Sequence, residues 1–250
     1  MSRLLVVDIG NTTTRVGLWS GREALEVAVF RTGEAGSAES AGVPPASVPP
    51  ASDGLALCSV VPEAEAPWRT WAEQNGLAFL AISGDTPAPL TNRYEQPARL
   101  GGDRLCAAVG AVNRLGAPVI VVSLGTATVV DAVSAQRELL GGAIAAGVDT
   151  GLAALHERTA ALPRVTAESP LSVIGRNTEE GLHAGAVLGT AALVEGLVAR
   201  MREEIGPAKV ALTGGHAALI APHLRDGEDW EVYPTLLMEG AGLIWEHHHR

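Results

Sequence analysis

The 250-residue sequence predicts an α/β protein built as two similar halves that share a cleft. Three observations carry the prediction. A strand, a glycine- and threonine-containing turn and a second strand occur twice, around Gly10-Asn11-Thr12 and around Gly125-Thr126. Each copy is followed by further strands and by helices, although identity between the copies is low and the duplication rests on pattern. Hydrophobic residues make up 47% of the chain, enough at this length for a sizeable core in one large domain or two smaller ones. Substrates are expected where the two glycine turns face each other.

Strands are expected over 3–8, 14–19 and 25–32, an antiparallel set joined by tight turns. The stretch 33–54, with Pro44-Pro45 and Pro49-Pro50, lacks the backbone donors a helix needs and reads as a surface connection. A strand over 55–60 is followed by a helix over 63–75, where Trp68 and Trp71 share one face as core residues, and Gly76 closes that helix before a strand over 77–82. Periodicity gives a helix over 103–115, then strands over 118–124, 129–134 and 140–144. Helices over 148–161 and 179–204, a strand over 209–213 and a helix over 234–246 complete the chain. Trp230, Tyr233 and Trp245 read as packing residues that tie the last helix to the body.

The balance of 18 basic against 28 acidic residues, net −10, offers no counterion-releasing face and argues against a nucleic-acid partner. It leaves room for a nucleotide held by backbone amides and a few local cations. Cys58 and Cys106 lack metal-ligand spacing and read as reduced, buried thiols. The apolar run Leu4 to Val7 is too short for a signal segment or a membrane span, so a cytoplasmic location without a membrane partner is expected. His156, His183, His216 and His223 have no carboxylate at ligand spacing and read as structural.

Five motifs carry candidate chemistry. In Asp8-Ile9-Gly10-Asn11-Thr12-Thr13, Gly10 allows a sharp turn, its amides and the threonine hydroxyls suit phosphate, and Asp8 suits a hydrated Mg²⁺. An ordinary hairpin is the alternative. In Gly101-Gly102-Asp103-Arg104, Asp103 is either a helix cap or a base that accepts a proton from an attacking hydroxyl, and Arg104 offers forked donors to an anionic substrate. Ser123-Leu124-Gly125-Thr126-Ala127-Thr128 forms a second phosphate turn. Gly175-Arg176-Asn177-Thr178 precedes a helix for which Thr178 is the candidate cap. Thr213-Gly214-Gly215 ends a strand where a nucleoside suits the close backbone approach.

These motifs, in this order and joined by Tyr94-x-x-Pro97, Gly141-Gly142-Ala143-Ile144 and Leu162-Pro163, resemble the type III pantothenate kinases of the actin-like, sugar-kinase-like superfamily over nearly the whole chain. The resemblance implies two ribonuclease-H-like (actin-like ATPase) domains, 1–115 and 116–250, the last helix packing back on the first. It implies a homodimer with active sites near its interface. The reaction it implies passes the γ-phosphate of ATP or another nucleoside triphosphate to the pantothenate hydroxyl in coenzyme A synthesis.

Carried over by motif, Asp103 is the general base, and Tyr94, Gly101, Gly102, Arg104 and Thr178 bind pantothenate, Thr178 reaching that of the neighbouring subunit. Gly10, Asn11, Thr12, Thr13, Gly125, Thr126, Thr128, Gly214 and Gly215, with Asp8 and its Mg²⁺, bind the nucleotide. A monovalent cation, K⁺ or NH₄⁺, is also implied. The chain departs from the family pattern at Ser123, where an aspartate is usual, and at Ala146, where a proline is usual. Ser123 stands at the monovalent-cation position without a charge, which gives a second reading: a non-catalytic or accessory relative that binds ligand. A different small-molecule kinase or actin-like ATPase is a third, against which the short chain and Gly-Gly-Asp-Arg motif speak.

Overall fold

The computed structural model describes residues 4–32, 54–225 and 230–249. The surface connection expected over 33–54 lies outside these residues except for Gly54. In chain order the elements are β1 (Leu4–Ile9), β2 (Thr13–Trp19), β3 (Ala24–Arg31), β4 (Gly54–Ser59), α1 (Glu65–Gln74), β5 (Ala78–Ile82), β6 (Thr91–Asn92) and α2 (Gly102–Leu115). They continue with β7 (Val119–Leu124), β8 (Ala127–Val133), β9 (Glu138–Ala146), α3 (Val148–Arg158), α4 (Thr178–Ile205), β10 (Lys209–Thr213), α5 (Ala217–Ile220), β11 (Trp230–Val232) and α6 (Leu236–His248). Sequence reading missed the short elements β6, β11 and α5, which lack the length to show a period.

The chain forms two units, Met1–Arg114 with Thr235–Arg250, and Leu115–Pro234. In the first the strand order is β3-β2-β1-β4-β5, with β1, β4 and β5 parallel and β2 and β3 antiparallel to their neighbours. Both faces of β1 are covered, which is why it reads as an unbroken apolar run. Leu5, Val7 and Ile9 pack with the fully buried Trp68 and with Ala72 of α1. On the first unit's α6, Gly240 lies so close to the Cys106 carbonyl of α2 that any Cβ would collide with it. The Arg114 guanidinium of α2 grips the Glu239 carboxylate of α6 at 2.6 and 2.7 Å, and the Thr235 hydroxyl donates to the same carboxylate at 2.9 Å.

The second unit repeats this topology. Its strands run β9-β8-β7-β10-β11, again two antiparallel strands beside three parallel ones. Its core joins Ile120, Val122 and Leu124 of β7 to Val187, Val194 and Val198 of α4. By length and composition α4 is apolar enough to cross a membrane, but the residues it buries form this core.

Two readings of local structure need correction. Trp230 and Tyr233 do not tie the last helix down: Trp230 packs on the second unit's core and the Tyr233 amide donates to the Leu212 carbonyl at 2.8 Å. The last helix is held instead by Trp245, packed on Gly54, and by Glu246, which accepts from the Trp19 indole at 2.7 Å. Nor does Thr178 cap α4. Asn177 is the cap, its side-chain oxygen accepting the Glu180 amide at 2.9 Å, while its amide nitrogen donates back to the Glu180 carboxylate at 2.9 Å.

Candidate active site

Asp8, Cys58 and Ile82 form one row across the C-terminal ends of the parallel strands β1, β4 and β5. In open α/β sheets this is the end where ligands bind. The start of α2 rests on the row: a Cβ at Gly102 would strike the Ile82 carbonyl oxygen and meet the Cys58 sulfur at 3.3 Å. Only glycine permits so close an approach, and it places Asp103, in the first turn of α2, beside Asp8.

Asp8 feels this placement. Packing removes water from its carboxyl, and the negative charge of Asp103, with a smaller contribution from Glu26, adds to the effect. Arg15, opposite Asp8 in the β1–β2 register, opposes it, and the balance raises the Asp8 carboxyl from 3.8 to about 7. Behind it the buried Cys58 thiol bonds to Cys106 and is pushed well above its ordinary value by that bond first and by burial second. Both cysteines are free and buried, as the sequence suggests.

The turn after β1 is closed by the Gly10 amide donating to the Thr13 carbonyl at 3.0 Å, and it leaves Asn11 and Thr12 exposed. Thr32 braces it, donating from its hydroxyl to the Gly10 carbonyl at 2.7 Å and from its amide to the Thr12 carbonyl at 3.0 Å. Arg104, the residue after Asp103 in α2, is buried, and its guanidinium lies 5.3 Å from the centre of the Tyr94 ring. The Tyr94 amide donates to the Asn92 side chain at 2.9 Å, which in turn donates to the Gly84 carbonyl at 2.8 Å. The Asp103 carboxylate accepts the Arg104 amide at 2.9 Å. Of the candidates from the sequence, Asp8, Tyr94, Gly101, Gly102, Asp103 and Arg104 thus gather in the first unit.

A matching arrangement stands at the ends of β7 and β10, where Ser123 and Thr213 are register partners. The Gly125 amide donates to the Ala127 carbonyl at 3.0 Å, closing the turn. Two segments hang on it. Gly147, before α3, donates its amide to the Thr126 carbonyl at 3.0 Å, as does the Thr150 hydroxyl at 2.7 Å. From the β10 side, Gly214, at a φ of 96° that suits glycine, packs on Leu124, and the His216 amide donates to the Leu124 carbonyl at 3.0 Å. Thr128 is buried with an unpartnered hydroxyl among the described residues, Gly215 is exposed, and Thr178 is exposed in the first turn of α4.

Sequence reading missed a pair in this unit. His216 Nε2 lies 3.2 Å from Asp149 Oδ2, although 67 positions separate them in the chain (216 − 149). A cavity of about 670 Å³ lined by Ala117, Pro118, Arg202, Glu203 and Lys209 lies at the opposite, N-terminal ends of β7 and β10, away from both the turn and this pair.

Solved structures share the fold. The ethanolamine utilization protein EutJ from Carboxydothermus hydrogenoformans superposes with a TM-score of 0.54 at 14% identity, over 96% of this chain and 89% of that one. A ROK hexokinase from Thermus thermophilus gives 0.50 at 15% identity, over 99% and 100%. These likenesses carry the actin-like architecture and nothing finer.

Sequence relatives carry more. A type III pantothenate kinase from Thermomicrobium roseum is 40% identical over 99% of this chain and 98% of its own length. Another from Thermus thermophilus is 40% identical over 88% and 90%. The type III pantothenate kinase family model matches residues 4–200, a span that holds both phosphate turns and the Gly-Gly-Asp-Arg motif. Full-length relatives, a matching family model and a repeated actin-like topology agree: this chain is a phosphotransferase and belongs to the type III pantothenate kinase family.

Proposed function

We propose that the protein phosphorylates the hydroxyl of pantothenate with the γ-phosphate of ATP or a related nucleoside triphosphate, opening coenzyme A synthesis. The observation that carries this reading is Asp103, set beside Asp8 at the strand ends and followed directly by the Arg104–Tyr94 pair. Asp103 takes the proton from the acceptor alcohol as its oxygen bonds to the γ-phosphorus, and the bond from that phosphorus to the β,γ-bridging oxygen breaks, releasing the diphosphate. Arg104, its guanidinium fixed over the Tyr94 ring, holds the pantothenate carboxylate. Gly101 and Gly102 shape that pocket, and Thr178, in the first turn of α4, offers its hydroxyl to the pantothenate of the neighbouring subunit. The turns Gly10 to Thr13 and Gly125 to Thr128, with Gly214 and Gly215, bind the nucleotide through amides and hydroxyls.

A divalent cation fits at Asp8. Burial and a neighbouring carboxylate make the ionised form costly there, and a hydrated Mg²⁺ would relieve both effects. Bound, it would neutralise charge on the phosphates. A monovalent cation fits poorly at Ser123, because the side chains at that turn, Ser123, Thr126 and Thr128, are neutral hydroxyls, whereas hard cations are held best where anionic oxygens contribute.

We place the enzyme in the cytoplasm as a homodimer, without nucleic-acid or membrane partners. The dimer is supported by apolar side chains left in water by a single chain: Ile144 is 62% exposed, Leu171 104%, Val173 70% and Ile174 76%. Incubation with pantothenate, ATP and Mg²⁺ tests the activity; if no phosphopantothenate forms with any added salt, the reading fails. Ser123 favours the second reading, a ligand-binding relative without efficient turnover, and a large gain of activity in Ser123→Asp supports that alternative.

A further inference from the structure

One cation of the first unit has no role in the reaction proposed above. Arg15 stands on β2 directly opposite Asp8 of β1, and opposed residues of neighbouring strands project from the same face of a sheet. It comes two positions after Thr13, where the phosphate turn passes into β2. Its charge reaches the Asp8 carboxyl, where it counters part of the burial and the repulsion from Asp103 and Glu26 that disfavour the ionised form. Asp8 therefore feels two further carboxylates and one guanidinium.

Arg15 is only loosely engaged where it stands. Among the described residues its side chain bonds to Glu26, from Nη1 to Oε2 at 3.5 Å, a single contact between side chains 27% and 35% exposed. The Arg114–Glu239 pair, by contrast, closes at 2.6 and 2.7 Å through two nitrogens. One long contact between groups open to water contributes little and is readily exchanged. An arginine always carries its charge and has five N–H donors in a fork that matches phosphate oxygens, so Arg15 keeps donors to offer an incoming phosphate.

The neighbours select which phosphate. The acceptor hydroxyl gives its proton to Asp103, so the phosphorus under attack lies by Asp103; Asp8 is beside Asp103, and Arg15 is opposite Asp8. A terminal phosphoryl group placed there brings anionic oxygens among carboxylates, and a fixed positive charge stabilises it alongside the metal ion. Resting on the kinase reading above, we propose that Arg15 binds the γ-phosphate of the nucleoside triphosphate and leaves Glu26 to do so. Glu26 is a tether that holds the guanidinium between turnovers and competes with the phosphate for it.

Calorimetry in the presence of Mg²⁺ compares a non-hydrolysable ATP analogue with ADP, and initial rates are followed with ATP and pantothenate. Arg15→Gln weakens the analogue by about tenfold or more, leaves the Kd for ADP and the KM for pantothenate within about twofold, and lowers kcat by about a hundredfold. Arg15→Lys, which keeps the charge and loses the fork, falls between Arg15→Gln and the unaltered protein. Glu26→Gln moves the other way and tightens the analogue by about twofold or more, a gain that vanishes in the double variant with Arg15→Gln. A purely structural pair between β2 and β3 predicts instead that Arg15→Gln and Glu26→Gln act alike. The proposal is overturned if Arg15→Gln binds the analogue within about twofold of the unaltered protein, if ADP weakens as much as the analogue, or if Glu26→Gln does not tighten it. Failure of the kinase reading looks different: the unaltered protein forms no phosphopantothenate, while the analogue and ADP still decide the role of Arg15.

Discussion

Asp103, in the first turn of α2, lies close enough to Asp8, at the end of β1, for its negative charge to help lift the Asp8 carboxyl to about 7. Two carboxylates brought together by a glycine-backed helix start are an unfavourable arrangement for a metal-free protein and a favourable one for a protein that holds a cation and moves a proton.

The Asp8 shift predicts how the protein without metal responds to pH. Its folded value, about 7, lies above the unfolded 3.8, so between these values the folded state binds more protons than the unfolded one. Stability therefore falls as pH rises through this window, by at most about 4 kcal/mol from this group. Thermal unfolding in EDTA should show a lower Tm at pH 8 than at pH 6, a difference reduced in Asp8→Asn. Added Mg²⁺ should raise the Tm more at pH 8, where Asp8 is ionised. An equal pH response in Asp8→Asn contradicts this.

Arg104 and Tyr94 act as one unit if the guanidinium is held over the ring for a carboxylate. Arg104→Lys keeps the charge and loses the fork, and should raise the KM for pantothenate about tenfold or more with the KM for ATP little changed. Tyr94→Leu should move the same constant in the same direction by less. Steady-state kinetics with each substrate varied in turn gives the answer, and a change confined to the ATP constant refutes the assignment.

Asn177 and Thr178 are neighbours with separable roles. Asn177→Ala removes the cap of α4 and should lower stability by about 1 kcal/mol in denaturant unfolding. Thr178→Ala should leave stability within about 0.5 kcal/mol and weaken pantothenate binding. If Thr178→Ala is the destabilising one, the cap has been misplaced.

Ile144 and Leu171 are apolar side chains in water on a single chain. With Lys at both positions, sedimentation velocity should show a monomer where the unaltered protein sediments as a dimer. A monomeric unaltered protein contradicts the proposed assembly.

The repeated strand-turn-strand showed a duplicated α/β topology in the sequence because each turn is local and marked by glycine. That the last helix packs on the first domain was only implied by the family resemblance, because its anchors, Trp19 with Glu246 and Arg114 with Glu239, join residues more than a hundred positions apart. The cap of α4 was misread by one residue because asparagine and threonine both cap helices, and only the Glu180 bond separates them. At the candidate site, Asp8 and Asp103 each stood out in a short motif, while the row that joins them runs through Cys58 and Ile82, residues with no chemical signal of their own. His216 was set aside as structural because no carboxylate stood near it in sequence; Asp149 becomes its partner only through the fold.

Asp103→Asn is the most direct test of the central claim, that Asp103 is the base of a pantothenate kinase. Mass spectrometry of phosphopantothenate formed from pantothenate, ATP and Mg²⁺ should show product with the unaltered protein and a rate about a hundredfold or more lower with Asp103→Asn, at a similar KM for pantothenate. Undiminished product from Asp103→Asn, or none from the unaltered protein, contradicts the account.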